Sequence, residues 1–235
     1  MKNLTVLALL WLLALVPALA QTSPEVRSVG NFRALKVSDG IIVTLASGGA
    51  QRVEASADTP EFLARIKTEV SDGVLKVSFE HKLNEAWSKD NRPRNLRVSI
   101  TAAPLTGIEA SSGARVEVKN AYATGDFKLE VSSGAVVTAP DFTAKSVKAE
   151  VSSGAVASVG GKVQSLTVEA SSGAEFKGSD VQATTCSASA SSGGSVAVGS
   201  LEKLTADASS GGSVRYASSA QVTKHTSSGG SVKPR

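Results

Sequence analysis

The sequence predicts an all-β protein, a parallel β-helix or solenoid with about 18–21 residues in each coil. Ser-Ser-Gly occurs seven times, and successive copies begin 21, 20, 19, 20, 18 and 18 residues apart. A fixed period near 20 residues is typical of solenoids, in which each repeat stacks on the previous one. Aromatic residues make up only 4% of the chain, which suits a narrow aliphatic interior. The copies begin at Ser111, Ser132, Ser152, Ser171, Ser191, Ser209 and Ser227.

Apolar and polar residues alternate on both sides of each Ser-Ser-Gly. In the second copy, Phe127, Leu129 and Val131 precede the first serine at every second position, and Val137 follows the glycine. A period of two places these side chains on one face of a strand. Glycine adopts a positive φ at little cost, so Ser-Ser-Gly is predicted to form a tight corner between two strands. The coils are expected to be right-handed.

An antiparallel meander with Ser-Ser-Gly hairpin loops would show the same alternation. The coil is favoured because each position of the repeat keeps one type of residue through successive copies. A meander gives no reason for such identity, whereas a stacked coil places equivalent residues of neighbouring repeats side by side.

Residues 25–105 are predicted to be a less regular β region, continuous with the regular solenoid of residues 106–232. Ser38-Asp39-Gly40 and Ser71-Asp72-Gly73 follow apolar strands as weaker copies of the corner. One short helix is expected after Thr59 as N-cap, with Pro60 at its first position. This helix is expected to interrupt the β pattern and cap the solenoid, and residues 81–94 to form a polar loop.

The first 20 residues resemble a cleaved signal peptide. Lys2 precedes an apolar run, and Ala18-Leu19-Ala20 matches a cleavage site that would leave Gln21 first. An uncleaved anchor is the alternative. The prediction is an exported protein located in the periplasm, at the cell surface or outside the cell, without a transmembrane segment in the mature chain. Cleavage would leave 24 basic and 21 acidic residues, a balance too even to indicate nucleic-acid binding.

Four glutamates occupy one outward position of the repeat, two residues before the first serine. Stacked coils would bring these carboxylates one strand apart, where like charges repel. A bound cation such as Ca²⁺ would relieve the repulsion, and so would Lys128 and Lys148 on the same face. The Lys-paired surface is favoured over the cation site. The column consists of Glu109, Glu130, Glu150 and Glu169.

The polar loop carries a second candidate site. Basic residues surround Trp87 there, and a basic patch with an exposed aromatic side chain could bind an acidic glycan. The alternative is an ordinary solubilising loop. The candidate ligand-binding residues are Trp87, Lys89, Arg92 and Arg94.

No catalytic constellation or cofactor site is expected. Cys186 occupies an inward position otherwise filled by large apolar residues, so burial rather than nucleophilic chemistry is predicted. His81 and His225, the two histidines of the chain, lie far apart in the repeat. They form neither a metal site nor a catalytic triad.

The chain resembles the putative auto-transporter adhesin, head GIN domain family of bacterial envelope proteins. The resemblance is carried by residues 32–45 (FRALKVSDGIIVTL), 70–77 (VSDGVLKV) and 96–114 (LRVSITAAPLTGIEASSGA), and by the repeated Ser-Ser-Gly. It implies a secreted or envelope-associated parallel β-helix without catalytic residues.

The expected function is a non-catalytic, adhesin-like binding or structural module whose partner is an extracellular glycan or surface matrix. The alternative is a polysaccharide lyase or hydrolase built on a β-helix, which would need acidic and basic residues clustered in a groove. Self-assembly into filaments by end stacking is a third possibility. Oligomeric state and ligand stay open at this point.

Overall fold

A computed structural model describes residues 23–82, 93–120, 122–217 and 221–235 of the chain. The predicted signal peptide and most of the predicted glycan-binding loop lie outside these residues. The described residues form one 17-stranded β structure with a single short helix. Its buried apolar side chains make one continuous core that extends from Leu35 to Val232.

The N-terminal region contains seven strands and the helix. They are β1 (Glu25–Val26), β2 (Ala34–Val37), β3 (Ile42–Ser47), β4 (Arg52–Ser56), α1 (Pro60–Arg65), β5 (Ile66–Ser71), β6 (Val74–Phe79) and β7 (Arg97–Ala102). Ten strands follow. They are β8 (Gly107–Ala110), β9 (Arg115–Val118), β10 (Tyr122–Val131), β11 (Val136–Val151), β12 (Val156–Ala170), β13 (Glu175–Ala190), β14 (Ser195–Ala208), β15 (Ser213–Tyr216), β16 (Gln221–Thr226) and β17 (Ser231–Pro234).

Equivalent residues of successive repeats lie side by side in parallel register. Glu130 of β10 pairs with Glu150 of β11, which in turn pairs with Glu169 of β12. Every pairing from β8 to β17 is parallel. The solenoid prediction is therefore confirmed, and the antiparallel meander is excluded for the repeats.

Each Ser-Ser-Gly is a two-residue corner in which both central residues are left-handed. In the third copy, Ser153 has φ +53° and Gly154 has φ +69°. The amide of Ala155 donates to the carbonyl of Ser152 at 3.1 Å, which closes a type I′ turn. The amide of Gly154 donates to the carbonyl of Ser172 in the next corner at 3.1 Å. Because this bond recurs from coil to coil, the corners align along one edge, as predicted.

The coil is three-sided where its burial pattern is complete. Along β11, alternation stops at Pro140 and Asp141, and again at Lys145 and Ser146, where adjacent residues both face outward. Two outward residues in succession turn the chain toward a new side, as they do at the Ser-Ser-Gly corner. The long strands therefore wrap around a narrow interior rather than crossing a flat sheet.

The N-terminal coils are stacked out of sequence order. Strand β2 lies between β6 and β8, and β3 lies between β7 and β9. The coil made by β6 and β7 is therefore the outermost one, although it follows β2 and β3 in the chain. In this outermost coil β6 ends at Phe79 and β7 begins at Arg97, so the two strands are too far apart in sequence to be joined by a two-residue corner.

Ser71-Asp72-Gly73 differs from the corner that its sequence suggested. Asp72 has φ +55° and Gly73 has φ +75°, so the local conformation is that of a corner. The turn joins β5 and β6, however, which pair antiparallel as a hairpin. A type I′ turn closes a hairpin as readily as a coil corner, and the neighbouring strands decide between the two.

The predicted helix is confirmed, and the strands on either side of it pair antiparallel with the outermost coil. The Thr59 side chain accepts a hydrogen bond from the Phe62 amide at 3.2 Å, and Pro60 starts the helix. The helix joins β4, which pairs antiparallel with β7, to β5, which pairs antiparallel with β6. These strands cover the hydrogen-bonding edge of the outermost coil.

Candidate functional site

The glutamate column forms on the outward face of the strands that precede each corner. Parallel register places Glu109 beside Glu130, Glu130 beside Glu150, and Glu150 beside Glu169. Lys36 of β2 precedes the column, and Ser189, Asp207 and His225 continue it. The structure thus aligns the four carboxylates in one row.

Lysines lie against three of these carboxylates. The Nζ atoms of Lys36, Lys128 and Lys148 are 2.5, 2.7 and 2.7 Å from carboxylate oxygens of Glu109, Glu130 and Glu150. The hydrogen bond from Lys148 lowers the pKa of Glu150, and the Glu150 carboxylate raises the pKa of Lys148. Lys148 therefore stabilises the charged form of Glu150, and the contacts of Lys36 and Lys128 place lysines beside Glu109 and Glu130 as well.

A metal site in this column stays a prediction. No group of three or more His, Cys, Asp or Glu side chains within the described residues is arranged to hold a metal ion. Titration with Ca²⁺ in a calorimeter tests the prediction. Since Lys36, Lys128 and Lys148 already neutralise carboxylates, we expect neither binding heat nor a change in melting temperature. Saturable heat would establish a cation site.

The basic loop is only partly described. Trp87, Lys89 and Arg92 fall outside the described residues, so the binding patch proposed from them remains a prediction. Arg94 lies just after the gap, at an exposed position. The structure does describe both ends of the loop, and these ends line a groove.

This groove, called the Asp39 groove, has a volume of about 320 Å³. It opens where the loop leaves the outermost coil, next to the first corner of the solenoid. The side chains of Asp39, His81 and Asn95 supply its polar groups. Its remaining lining is the apolar or backbone surface of Gly40, Ile42, Phe79, Pro93 and Leu96.

Asp39 is held firmly in the groove. Its Oδ2 accepts hydrogen bonds from the Phe79 amide at 3.1 Å and from the Ser38 hydroxyl at 2.6 Å. Its Oδ1 lies 3.8 Å from Nε2 of His81, whose ring packs edge-on against Phe79 with centroids 5.5 Å apart. A fixed carboxylate and an imidazole thus lie close together, and the imidazole contacts an aromatic ring.

A second groove of about 560 Å³ adjoins the first one through Asn95. It is lined by Ser56, Asp58 and Arg97 among others. The Asn95 amide donates to Oδ1 of Asp58 at 2.7 Å, and Asn95 has φ +53°. This residue therefore belongs to both grooves.

Sequence reasoning did not single out the Asp39 groove. It treated Asp39 as a corner residue, and it placed His81 at the start of a polar loop and rejected it as a metal ligand or triad member. The one available signal was aspartate at a corner position that serine holds in all seven regular copies. The contact of Asp39 with the Phe79 amide arises from coil stacking, which short-range sequence patterns do not reveal.

Cys186 is buried as predicted, between Leu166 and Leu204 of the neighbouring coils. Burial raises the pKa of its thiol to about 12, so the nucleophilic thiolate is scarce at neutral pH. The interior space bounded by Phe127, Leu129 and Phe142 holds about 10 Å³, room for at most a water molecule. The described interior therefore offers no ligand cavity at this point.

The fold and these surfaces define a class of protein: a capped parallel β-solenoid with charged outer columns and surface grooves. The family model "putative auto-transporter adhesin, head GIN domain" matches residues 31–220. The chain therefore belongs to this family, as the sequence resemblance indicated. No curated protein matches the chain in sequence.

Several solved structures share the fold. A putative adhesin from Bacteroides fragilis is 15% identical, with a TM-score of 0.78, over 91% of this chain and 96% of its own. A putative adhesin from Parabacteroides distasonis is 17% identical, with a TM-score of 0.67, over 91% and 96%. A putative lipid binding protein from the same species is 17% identical, with a TM-score of 0.65, over 91% and 97%. At these identities the similarity concerns the fold.

No helix among the described residues is long and apolar enough to span a membrane.

Proposed function

We propose that this protein is an exported, adhesin-like binding module of the bacterial envelope, without catalytic activity, whose partner is an extracellular glycan or surface matrix. The observation that carries the proposal is the register of the solenoid, which repeats charged and hydroxyl side chains in rows along its outer sides. A rigid surface of this kind favours contact with an extended, repetitive partner, because each coil presents another similar group.

Export is supported by the predicted signal peptide and by the adhesin family to which the chain belongs. The interior space of about 10 Å³ favours binding on the outer surface. We therefore do not extend the lipid binding named for one structural relative to the interior of this chain.

The alternative of a polysaccharide lyase or hydrolase gains no support from the described residues. Glycoside hydrolysis uses two carboxyl groups on opposite sides of the scissile bond. Among the described residues that line the Asp39 groove, Asp39 is the one carboxylate, and its Oδ2 already accepts from the Phe79 amide and the Ser38 hydroxyl. We assign this arrangement to binding rather than to acid–base catalysis.

Cell fractionation tests the export part of the proposal. In the native host, we expect the mature protein to begin at Gln21 and to be found in the periplasm, at the surface or in the medium. Protease treatment of intact cells then separates surface display from the periplasm. A variant with Ala18→Arg and Ala20→Arg should keep its leader uncleaved. A native protein that remains in the cytoplasm with its leader intact would overturn the proposal.

Binding is tested with purified mature protein on immobilised envelope polysaccharides and extracellular matrix. Saturable binding to at least one surface is expected, and heat-unfolded protein serves as the control. Retention of the native protein no greater than that of the unfolded protein on every surface would refute the binding function.

A further inference from the structure

We propose that the Asp39 groove is the sugar-binding site of this protein and that it takes an uncharged sugar residue of a glycan. This inference rests on the proposed binding function and adds to it a location and a ligand chemistry. The groove combines three features of small-ligand sites: sufficient volume, an apolar floor and a few converging polar groups.

The polar groups suit the recognition of hydroxyls. Oδ1 of Asp39 is 3.8 Å from Nε2 of His81, too far for a direct hydrogen bond. A sugar hydroxyl that lies to one side of this pair can donate to Oδ1 of Asp39 and contact the imidazole edge of His81. Because the Phe79 amide and the Ser38 hydroxyl already hold Oδ2, the carboxylate is pre-organised and loses little freedom on binding.

The apolar lining suits the carbon–hydrogen face of a sugar ring. The lining includes Phe79, whose ring is in edge-to-face contact with His81, together with Ile42, Pro93 and Leu96. A pyranose presents hydroxyls at its rim and carbon–hydrogen bonds on its faces, so it can meet both kinds of lining at once. A free ion would leave the apolar surface unused.

The charges favour an uncharged ligand. The described residues that line the groove include one carboxylate, Asp39, beside the neutral amide of Asn95 and the imidazole of His81. A uronate or sulfated sugar would place a negative charge near Asp39, where like charges repel. The acidic-glycan site predicted for the basic loop is therefore distinct from the Asp39 groove. Neutral and acidic probes distinguish binding at these two sites.

The adjoining groove extends the site toward longer ligands. Asn95 lines both grooves, and its contact with Asp58 keeps its amide in place between them. An oligosaccharide whose first residue occupies the Asp39 groove can continue into the second groove of about 560 Å³. Affinity is expected to rise from one sugar residue to two or three.

The chain offers matched control variants. Asp39→Asn removes the charge but retains a side chain that tolerates the left-handed conformation, and Asp72→Asn makes the same change in the other Ser-Asp-Gly turn, outside the groove. His81→Ala removes the imidazole from the groove, and His225→Ala removes the other histidine, in the last coil. All four variants are checked for unchanged melting temperature and β content.

The experiment is calorimetric titration of the mature protein with maltohexaose, cellohexaose and mannohexaose as neutral probes and with hexagalacturonate as an acidic probe. We expect at least one neutral probe to bind. Asp39→Asn should weaken that binding about tenfold, as expected for loss of a hydrogen bond to a charged group. His81→Ala should weaken the binding at least about threefold. The affinities of Asp72→Asn and His225→Ala should stay within about twofold of that of the parent protein.

The outcomes separate the two proposals. If a neutral probe binds and Asp39→Asn and His81→Ala bind it equally well, the groove assignment is wrong and the binding function stands. If only hexagalacturonate binds, or no probe binds while the immobilised surfaces do, the uncharged-sugar assignment is wrong. If neither probes nor surfaces bind, the proposed function fails together with the groove.

Discussion

The second serine of each Ser-Ser-Gly has a backbone conformation that serine does not favour. These serines have φ between +46° and +53°, a region in which asparagine, aspartate and glycine are more comfortable. Asp39 and Asp72 occupy the same position with φ +61° and +55°. The small size and missing β-branch of serine make the conformation tolerable, so residue choice at this position has a direct conformational cost.

Gly194 lies at a position where the backbone leaves no room for a methyl group. The residue after Ser-Ser-Gly is alanine in the first four regular corners and glycine in the last three. The amide of Gly194 donates to the Ser191 carbonyl at 2.7 Å, whereas that of Ala174 donates to the Ser171 carbonyl at 3.1 Å. A Cβ on Gly194 would collide with the carbonyl oxygen of Ala170.

We therefore predict that Gly194→Ala lowers the free energy of unfolding by about 1–3 kcal/mol, the usual cost of overpacking. Urea denaturation followed by circular dichroism measures the change. Gly125→Ala is the control, because a Cβ there meets no atom within 4 Å, and it should be neutral or slightly stabilising. Equal stability of Gly194→Ala and the parent would show that the late corners can relax.

Cys186 provides a second test at the residue scale. With its thiol pKa raised to about 12 by burial, its reaction with a disulfide reagent at pH 8 should be at least about a hundredfold slower in the folded protein than in guanidinium chloride. Absorbance of the released thiolate measures the rate. Rapid labelling of the folded protein would contradict the assigned burial between Leu166 and Leu204.

The Ser-Ser-Gly corner is the element that recurs most regularly in the sequence. Its left-handed backbone conformation can be tested by a side-chain substitution that leaves its backbone hydrogen bonds in place. Ser153 is exposed, so substitution there changes the backbone preference with little loss of packing. Ser153→Asn should be neutral or stabilising, because asparagine accepts the left-handed region. Ser153→Val should cost about 1–2 kcal/mol, because a β-branched residue resists it.

Thermal melting of the two Ser153 variants gives the comparison. Half-buried Ser158, which lies in the following strand, serves as a site where Ser158→Val should cost nothing or stabilise, since valine favours strands. If both valine variants melted alike, the left-handed corner would not be the source of the cost.

The hydrogen-bonded corners and the glutamate column belong to the same repeat but differ in how much they contribute to its stability. The corner bonds connect each coil to the next through backbone groups. The Lys128–Glu130 and Lys148–Glu150 pairs lie at the surface, where ion pairs contribute little and are screened by salt. Stability of the solenoid is therefore expected to come from packing and backbone pairing rather than from these charges.

At the scale of the whole molecule, two buried ionisable groups predict sensitivity to alkali. Desolvation raises the pKa of Tyr122 and of Cys186, each to about 12. Both groups become charged when they lose a proton, and burial disfavours the charged form. Their pKa is therefore higher in the folded state than in the unfolded state. Their contribution to stability is complete below about pH 9 and is lost as the pH rises toward 12.

We predict that the free energy of unfolding falls between pH 9 and 11, by at most about 1.4 kcal/mol per pH unit for each group. Urea denaturation at several pH values measures the slope. Tyr122→Phe should be less stable near neutral pH, because the Leu105 amide loses its acceptor, but its slope should be shallower. A slope unchanged by Tyr122→Phe would remove Tyr122 as a cause.

Several features could be predicted from the sequence because they depend on neighbours a few residues apart. Alternation around Ser-Ser-Gly predicted which side chains lie inside, and the fixed period predicted that Glu109, Glu130, Glu150 and Glu169 form a row. Thr59 and Pro60 predicted the start of the helix. In each case the local pattern and the stacked fold favour the same structure.

Other features were decided only by the tertiary structure, because they depend on which strand lies beside which. The Ser71-Asp72-Gly73 turn became a hairpin because β5 pairs antiparallel with β6. The coil of β6 and β7 stacked outside that of β2 and β3, and this order brought His81 to Asp39. Short-range alternation and turn chemistry are the same in a corner and a hairpin, so the contacts that form the Asp39 groove depend on long-range strand pairing.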